Sequence, residues 1–335
     1  MRIAILDDYL RVALRMADWS ALQRRCEIEV FDRPLAVPEE AARALASFDI
    51  LCTLRERMAV PRTLVERLPR LKFLAITGLV HRTLDLAAAT ERGILVSHTE
   101  VRGSMGRSTS ELAWGLILSL ARHIPQETQR MRGSGWQSTV GHSLYGKTLG
   151  ILGPGKLGAN TALVGRAFGM DVIAWSQNFT DARAAEIGVR RVDKDTLFRE
   201  SDVLSIHLVL GERTRGIVGA RELGLMKRTA FLVNTARGPL VDEAALIAAL
   251  RERAIAGAAL DVYDREPLAD DHPLRRLENV LLTPHLGYCT EESYRAFYGD
   301  SVENITAYLD GKPIRVVNPE ALAASRISGA TSARA

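Results

Sequence analysis

The chain has 335 residues, of which 47% are hydrophobic and 25% charged, the balance of a folded globular protein without global disorder. Its length exceeds what one small core needs and favours two domains. Because 44 Lys and Arg stand against 40 Asp and Glu, the net charge of +4 provides no basic stripe, and nucleic-acid binding is not indicated.

The cysteines and the N-terminal residues bear on the cellular compartment of the protein and on metal binding. Cys26, Cys52 and Cys289 lie far apart without a CxxC pair, so neither a disulfide framework nor a thiolate metal site is indicated. The opening MRIAILDDYL enters a strand pattern directly and lacks the apolar region of a secretory signal. No run approaches the roughly 18 apolar residues of a membrane span. These features predict a cytoplasmic protein that binds no metal and no membrane.

Strand and helix patterns alternate over the N-terminal third of the chain. Apolar runs typical of buried strands occur at residues 2–6, 28–31, 49–52 and 72–77. Helix-like spacing occurs at residues 12–22 and 38–46 and from Pro61 onward. Such alternation predicts βαβ units with a parallel sheet.

A second alternating series follows a long apolar helix pattern at residues 108–121. Residues 133–141 are loop-like, and strand patterns then recur at residues 148–152, 172–175, 203–207, 230–234, 257–261 and 280–283. A helix pattern at 291–309 and a short strand at 314–317 come next. We therefore predict two doubly wound α/β domains, with the late helix leading the chain back to the first of them.

The domain boundaries follow from this alternation. Residues 1–102 with about 292–317 are predicted to form one domain, and residues 103–291 the other. Residues 318–335 are rich in Ala, Ser and Arg and are predicted to be a loose tail.

A glycine-rich turn follows the strand pattern at 148–152. Gly153 permits a tight turn, Gly155 removes the side chain that would face a phosphate, and Gly158 lets the next helix pack on its strand. The order strand, glycine turn, helix and strand is typical of a pyrophosphate site at a helix N-terminus. The alternative is an ordinary glycine turn. Trp175, at the end of the second strand, is interpreted as a packing aromatic.

Three chemically active side chains follow three later strands. Arg237, Glu266 and His285 come after the strand patterns at 230–234, 257–261 and 280–283. Ligands of open α/β sheets collect outside the carboxyl ends of the strands, so the three are expected to converge. Arginine binds a carboxylate through two hydrogen bonds, and a carboxylate fixes the tautomer of a histidine that transfers a proton.

Each member of the trio also has a purely structural interpretation. Arg237 would cap a helix, Glu266 would lie in a turn before a proline, and His285 would be a hydrogen-bonded histidine behind Pro284.

Four ordered motifs make the sequence resemble the D-isomer-specific 2-hydroxyacid dehydrogenases, which include formate, D-lactate, D-glycerate, glyoxylate/hydroxypyruvate and phosphoglycerate dehydrogenases. The motifs are LGILGPGKLG, LVNTARGPLVDEAAL, ALDVYDREPL and LLTPHLGY, within a resemblance that extends over about residues 71–317. The resemblance implies a Rossmann cofactor domain inserted in a flavodoxin-like substrate domain. It also implies hydride transfer between a nicotinamide cofactor and a small 2-oxo or 2-hydroxy carboxylate.

The resemblance assigns roles to individual residues. Arg237 would bind the substrate carboxylate, and Glu266 would orient His285 as the acid/base. Arg55, Gly78 and Leu79 would contact the substrate, the last two through backbone N–H groups. The cofactor-binding positions would be Gly153, Pro154, Gly155, Lys156, Leu157, Gly158, Ser176, Gln177, Asn178, His207, Thr235, Ala236, Asp261 and Gly287. Asp261 would meet the nicotinamide carboxamide.

The chain departs from the family pattern at three places. Ser176, Gln177 and Asn178 stand where many NAD-dependent members carry an Asp for the adenosine ribose, and Asp171 precedes the strand. NAD(H) is therefore expected, with NADP(H) as an alternative. Pro154 replaces a larger apolar residue. The segments GLVHRTLD and VSHT, with His81 and His98, differ from the usual substrate loop, so no relative's substrate is inferred, and neither histidine has a metal partner at ligand spacing.

Other functions and the assembly state remain open at this point. One alternative is a dehydrogenase-like protein that senses NAD(H) without turnover. Another is oxidation of a small anion such as phosphite or formate. As in the family, the helix at 108–121 is expected to contribute to a homodimer, since its apolar faces exceed one packing surface. Burial within the core is the alternative.

Overall fold

The computed structural model describes residues 1–100 and 106–322. Residues 1–100 and 290–322 form one compact unit, here the first unit, and residues 106–289 form the second unit. The predicted domain boundary between residues 102 and 103, and most of the predicted tail, lie outside the described residues. No helix in the described ranges is long and apolar enough to cross a membrane.

The first unit contains a parallel sheet with the strand order β2-β1-β3-β4-β5. Its strands are β1 (Arg2–Ile5), β2 (Glu27–Val30), β3 (Ile50–Thr53), β4 (Phe73–Ile76) and β5 (Leu95–His98). The helices are α1 (Ala13–Met16), α2 (Ser20–Gln23), α3 (Pro38–Leu45), α4 (Arg62–Val65) and α5 (Leu86–Glu91), and α13 (Glu291–Leu309) also belongs to this unit. The order is that of flavodoxin-like folds.

The second unit contains a parallel sheet with the order β12-β11-β10-β9-β6-β7-β8. Its strands are β6 (Thr148–Leu152), β7 (Asp171–Trp175), β8 (Arg190–Arg191), β9 (Val203–Ile206), β10 (Phe231–Asn234), β11 (Gly257–Leu260) and β12 (Val280–Leu282). Its helices are α6 (Ser108–Arg122), α7 (Ile124–Arg132), α8 (Lys156–Ala167), α9 (Asp181–Ile187), α10 (Lys194–Glu200), α11 (Ala220–Leu225) and α12 (Glu243–Arg251). This is the Rossmann order, with the reversal beside β6. The two predicted doubly wound sheets are thus confirmed.

Two predicted elements of the first unit are wrong. The helix predicted at 12–22 is two short helices, because Ala17 is extended and the Asp18 carboxylate accepts the Ser20 N–H at 2.9 Å. The strand predicted at 314–317 is reduced to an isolated bridge between Ser97 and Val316, because Arg315 has a left-handed φ of +50°.

The start of the predicted tail is ordered. The Asn318 side chain accepts the Val96 N–H at 2.8 Å and donates to the Ile94 carbonyl at 2.9 Å. These bonds tie residues 318–322 to the edge of the first unit's sheet, so the prediction of a loose segment is wrong for these residues.

Helix α6 lies in the core of the second unit. Ala113, Trp114, Leu116 and Ile117 are buried, and the Trp114 indole N–H donates to the Thr161 carbonyl at 3.1 Å. Packing within the second unit therefore explains why this helix is apolar. Its apolar faces no longer indicate a role in a homodimer.

A buried carboxylate follows β1. Asp7 is 2% exposed and has a left-handed φ of +58°. Its Oδ1 accepts the Tyr9 hydroxyl at 3.1 Å, whereas Oδ2 has no hydrogen-bond partner among the described residues. Burial raises the pKa of Asp7 to about 6, against the lowering effects of Tyr9 and the Arg57 charge.

We expect Asp7→Asn to stabilise the protein above pH 6. The raised pKa means that the folded state binds this proton more tightly than the unfolded state, so stability from Asp7 is present at acidic pH and is lost as pH rises through 6. Asn cannot ionise, keeps an acceptor for Tyr9 and tolerates a left-handed backbone. Denaturant unfolding at pH 7.5 should show a gain of about 2–3 kcal/mol.

The neighbouring carboxylate is the control for this experiment. Asp8 accepts the Val12 and Ala13 N–H groups through separate oxygens, at 3.0 and 2.8 Å. Asp8→Asn removes one acceptor and should destabilise the protein by about 1 kcal/mol at the same pH. An unchanged slope of stability against pH in Asp7→Asn would contradict the assignment.

Gly238 lies at a close approach of two backbone segments in the second unit. A Cβ at this position would lie 2.0 Å from the carbonyl carbon of Tyr263. The turn after β10 and the segment after β11 can therefore touch only where the side chain is absent.

We expect Gly238→Ala to destabilise the second unit by about 1–3 kcal/mol, because the two backbones must separate. Gly224→Ala is the matched control, since a Cβ there would meet nothing within 4 Å outside its own helix. Alanine in α11 should be neutral or stabilising by about 0.5–1 kcal/mol. Equal melting temperatures of Gly238→Ala and Gly224→Ala would show that the close backbone approach at Gly238 does not exclude a side chain.

Candidate functional site

A cleft of about 760 Å³ opens at the carboxyl ends of β6, β7 and β9. It lies where the strand order reverses, which is the position at which open α/β sheets bind ligands. The residues along it are Gly153, Pro154, Gly155, Trp175, Ser176, Gln177, Asn178, Phe179, Arg183, His207, Leu208, Val209, Leu210, Gly211, Glu212, Arg213, Thr214 and Ile217. The cleft thus brings together half of the predicted cofactor residues, seven of fourteen.

The three motif glycines have different structural roles. Gly153 has φ +96°, and a Cβ there would lie 2.7 Å from the Leu208 amide nitrogen. A Cβ at Gly158 would lie 2.4 Å from the Gly153 carbonyl oxygen. At Gly155 a Cβ would meet nothing within 4 Å, so its open side faces the cleft. The first and last glycines are required by packing, and the middle one leaves room for a ligand.

The end of the glycine turn is the start of α8. Lys156 and Leu157 are the first residues of this helix, with Gly155 as its N-cap. Free N–H groups at such a start favour an anion. Pro154 is buried on the cleft wall, where its missing N–H removes one donor but its ring shapes the turn.

The far end of the cleft is formed by the segment after β7. Ser176, Gln177 and Asn178 line it, as the sequence predicted, whereas Asp171 starts the strand at the opposite edge of the sheet. Trp175 packs against the core of the second unit, as the sequence predicted, and also lines the cleft.

Arg183 and Arg213 also line the cleft, although sequence reasoning missed both. In the sequence, Arg183 lies in a helix-like stretch and Arg213 in a loop-like stretch, and neither stretch contains a motif that indicates a ligand. Arg183 lies two residues into α9, and Arg213 lies in the loop that follows β9.

Two further predicted positions have polar groups suited to a bound ligand. The Thr235 hydroxyl is buried and has no hydrogen-bond partner among the described residues. His207 lies 2.9 Å from the Ser205 hydroxyl through Nε2, and burial lowers its pKa to about 4. At neutral pH this histidine is uncharged. Ala236 lies beside Thr235, and its N–H donates to Asn234 Oδ1 at 3.0 Å.

His285 and Glu266 form a short hydrogen bond. His285 Nδ1 lies 2.6 Å from Glu266 Oε2, and the other carboxylate oxygen accepts the Tyr263 N–H at 3.0 Å. Burial alone would raise the pKa of Glu266, but the hydrogen bond and charge of His285 outweigh it and hold the pKa below its usual value. The carboxylate therefore fixes Nδ1 as the protonated nitrogen, and Nε2 has no hydrogen-bond partner among the described residues.

Asp261 holds the loop that carries His285. It is fully buried, and its Oδ1 accepts the Thr283 hydroxyl at 2.6 Å and the Leu286 N–H at 2.7 Å. Its Oδ2 accepts the Gly287 N–H at 2.9 Å. The sequence assigned Asp261 and Gly287 to the cofactor, and the structure adds a structural role for both.

Arg237 follows the carboxyl end of β10. The neighbouring strand, β11, is followed by Glu266. Asn234 shapes the turn by donating to the Arg237 carbonyl at 2.9 Å, and the Arg237 guanidinium donates to the Ala236 carbonyl at 2.8 Å. The charge of Arg237 contributes to the lowered pKa of Glu266. The strand ends of β10, β11 and β12 thus place the predicted trio on one edge of one sheet.

The predicted substrate residues of the first unit lie together after β3 and β4. A Cβ on Gly78 would lie 1.8 Å from Arg55 Nη1, and the Arg55 N–H donates to the Thr77 hydroxyl at 2.6 Å. Arg55 has a left-handed φ of +56°. The Gly78 N–H, predicted to hold a carboxylate, donates to the Thr99 hydroxyl at 2.7 Å. The Leu79 side chain is 54% exposed.

The histidines near this loop are not arranged as ligands. His81 is buried, which lowers its pKa, and His98 Nδ1 lies 3.2 Å from the Thr99 carbonyl. In the part of the chain that the structure describes, no group of three or more His, Cys, Asp or Glu side chains could hold a metal ion.

Known proteins have sequences similar to this one and the same fold. The profile of the family described as "D-isomer specific 2-hydroxyacid dehydrogenase, NAD binding domain" matches residues 114–287. A glyoxylate reductase of Aeropyrum pernix is 40% identical over 311 residues, which cover 89% of this chain and 92% of the relative.

Two solved structures show the same likeness. A phosphoglycerate oxidoreductase from Vibrio cholerae O395 is 34% identical with a TM-score of 0.87, over 93% of this chain and 99% of that one. An acyclic imino acid reductase in complex with NADPH and D-Arg is 28% identical with a TM-score of 0.71, over 95% and 100% of the two chains. The chain belongs to the D-isomer-specific 2-hydroxyacid dehydrogenase family.

Proposed function

We propose that the protein is a nicotinamide-dependent oxidoreductase that interconverts a small 2-oxo acid and the D-isomer of the corresponding 2-hydroxy acid. The observation that carries the proposal is the 2.6 Å bond between His285 Nδ1 and Glu266 Oε2, on the same sheet edge as Arg237. An acid/base couple beside a fixed cation suits a substrate that carries a carboxylate next to a reacting carbonyl.

The proposed cofactor is a dinucleotide, and residues in the cleft and directly after β10 fit it. Gly155 leaves open space at the start of α8, and the Thr235 hydroxyl is buried without a partner among the described residues. The open space at Gly155 suits a pyrophosphate, and the Thr235 hydroxyl is a hydrogen-bonding group available to a ligand. We take NAD(H) as the expected cofactor and NADP(H) as the alternative. The NADPH held by the imino acid reductase supports keeping both.

The side chains have distinct tasks in this reaction. The nicotinamide supplies or accepts the hydride when it is bound. Arg237 binds the substrate carboxylate and polarises the 2-oxo group. During reduction His285 donates the Nε2 proton to the substrate oxygen while the carbonyl carbon gains the hydride, and in oxidation it accepts that proton. Glu266 orients the imidazole and stabilises its charged form.

The predicted substrate residues Arg55, Gly78 and Leu79 of the first unit stay part of the proposal, as residues of that unit alone. Because the Gly78 N–H is engaged with Thr99, the backbone donor of this loop is assigned to Leu79 rather than to Gly78. The glyoxylate reductase relative supports a small 2-oxo acid as substrate.

We expect His285→Ala and Arg237→Ala each to lower kcat/KM by about 10²–10⁴-fold, because the proton donor or the carboxylate ligand is removed. NADH oxidation should be followed by absorbance across a panel of 2-oxo acids, and cofactor affinity by titration. Cofactor binding should survive in both variants, since neither residue lines the cleft.

A second His–Glu pair in the same unit is the control. His272 Nε2 lies 3.0 Å from Glu243 Oε1, and His272→Ala should retain turnover. Full activity in His285→Ala would refute the assignment. Tight NADH binding by the wild-type protein with no turnover on any acid would instead identify a sensor. Activity only with phosphite or formate in the oxidative direction would identify a dehydrogenase of small anions.

We also propose that the protein is a homodimer, on a different surface from the one the sequence indicated. The segment from α7 to β6 exposes large apolar side chains, with Trp136, Val140 and Tyr145 exposed by 70%, 90% and 80%. Ile124 and Met131 are about half exposed on the same segment. Apolar surface of this kind is typical of protein contacts.

We expect the wild-type protein to sediment as a dimer at micromolar concentration and Val140→Glu to sediment as a monomer, because a charge would replace an apolar contact. Leu163→Glu changes an exposed leucine on α8 and should leave the dimer intact. A monomeric wild-type protein, or a dimer that tolerates Val140→Glu, would contradict this surface.

A further inference from the structure

We infer that Tyr263 is a positioning residue of the acid/base pair, with its N–H holding Glu266 and its hydroxyl holding the turn that carries His285. The inference rests on the proposed function for the reaction that the pair performs, and it adds a residue that contacts neither substrate nor cofactor. A closed ring of hydrogen bonds that begins and ends at Tyr263 carries it.

The ring consists of four hydrogen bonds. The Tyr263 N–H donates to Glu266 Oε1 at 3.0 Å, and Glu266 Oε2 lies 2.6 Å from His285 Nδ1. The His285 N–H donates to the Thr283 carbonyl at 3.1 Å, and the same carbonyl accepts the Tyr263 hydroxyl at 2.9 Å. The imidazole is thus attached to Tyr263 through its side chain and through its backbone, and Glu266 is attached to the same residue.

The Tyr263 hydroxyl lies across the carboxyl ends of two neighbouring strands. It donates to the carbonyl of Leu260, the last residue of β11, at 3.0 Å, as well as to the carbonyl of Thr283, which directly follows β12. The Thr283 N–H also donates to the Leu260 carbonyl, at 2.9 Å. Because a tyrosine hydroxyl has one proton, the two carbonyls share it. The hydroxyl therefore fixes the separation of the strand ends that precede Glu266 and His285.

The Asp261 carboxylate cannot take over this task. It accepts the Thr283 hydroxyl and the N–H groups of residues 286 and 287, so it holds donors of the loop after β12. An ionised carboxylate has no proton to give to a carbonyl oxygen. The Tyr263 hydroxyl is the donor that attaches the Thr283 carbonyl, and with it the His285 N–H, to the end of β11.

The hydroxyl is held in its donor form. Tyr263 is 8% exposed, and its ring packs in the core of the second unit with Leu260 and Leu274. Burial raises the pKa of Tyr263, and the charges of Asp261 and Glu266 raise it further, so the hydroxyl keeps its proton. A phenylalanine would fill the same space in the core. The hydroxyl is therefore needed for the two carbonyls and not for packing.

Tyr263→Phe removes the hydroxyl and keeps both the ring and the N–H that holds Glu266. We expect kcat to fall about tenfold, as the loss of one hydrogen bond that orders the transition state would give. The KM for the 2-oxo acid and the dissociation constant of NADH should stay within about twofold, because Arg237 and the cleft are unchanged. Steady-state kinetics and cofactor titration measure the three quantities.

Nitrogen NMR of the labelled protein provides a measurement that does not depend on turnover. The neutral imidazole of His285 should carry its proton on Nδ1 in the wild-type protein, and His285→Ala identifies the signal. In Tyr263→Phe the signal should shift toward a mixture of the two tautomers, because the bond between the imidazole and Glu266 is no longer held at both ends.

Two further variants separate positioning from stability. Ser201 is fully buried in the same unit, and its hydroxyl donates to the Leu197 carbonyl at 2.5 Å. Ser201→Ala also removes one bond from a hydroxyl to a carbonyl, and it should change neither kcat nor the imidazole signal. The unnatural residue p-aminophenylalanine at position 263 has two N–H donors, one for each carbonyl, and should restore kcat to within about threefold of the wild-type value.

The outcomes are distinguishable. Wild-type kcat in Tyr263→Phe, an equal loss in Ser201→Ala, or no recovery with p-aminophenylalanine would overturn the inference and leave the proposed function standing. A wild-type protein without turnover on any acid would overturn the proposed function. The imidazole signal would then decide the inference by itself, and an unchanged signal in Tyr263→Phe would overturn it.

Discussion

The position of His285 depends on the buried carboxylate of Asp261. Its two oxygens accept the Thr283 hydroxyl and two backbone N–H groups of residues 286 and 287, so the loop after β12 is attached to the end of β11. His285 itself has a left-handed φ of +55°, a conformation that costs energy and persists only where the surrounding structure holds it. These hydrogen bonds hold the loop that carries His285 and offset part of the cost of burying the Asp261 carboxylate, although burial still raises its pKa.

The sheet topology distributes the chemistry of the second unit along one edge. Strands β6, β7 and β9 end at the cleft, whereas β10, β11 and β12 end at Arg237, Glu266 and His285. Because the strands of this sheet are parallel, their carboxyl ends all lie along the same edge of the sheet. The functional side chains therefore reach that edge without long loops. The cofactor-type cleft and the acid/base pair are consequences of one strand order.

The sequence predicted those features that depend on local pattern. The buried strands and the glycine turn were visible because apolar runs and glycine spacing are local signals. The break at Ala17, the left-handed Arg315 and the engaged Gly78 N–H were not visible, because each depends on one hydrogen bond or one torsion angle. Arg183 was missed for another reason, since its position at the cleft is set by how α9 packs against α8 and β8. The homodimer, the substrate and the cofactor form stay predictions.

The three histidines of the second unit with polar ring contacts show why neighbouring groups, and not residue type, decide which one transfers a proton. His207 is desolvated, and its pKa near 4 keeps it neutral, so it lacks the proton that reduction needs. His272 pairs with a glutamate as His285 does, but its Nδ1 also accepts the Leu274 N–H at 3.3 Å, which leaves neither ring nitrogen for a substrate. In His285 the carboxylate engages Nδ1 alone. Only this histidine combines a fixed tautomer with a ring nitrogen that no described residue engages, and that combination is what general acid/base chemistry requires.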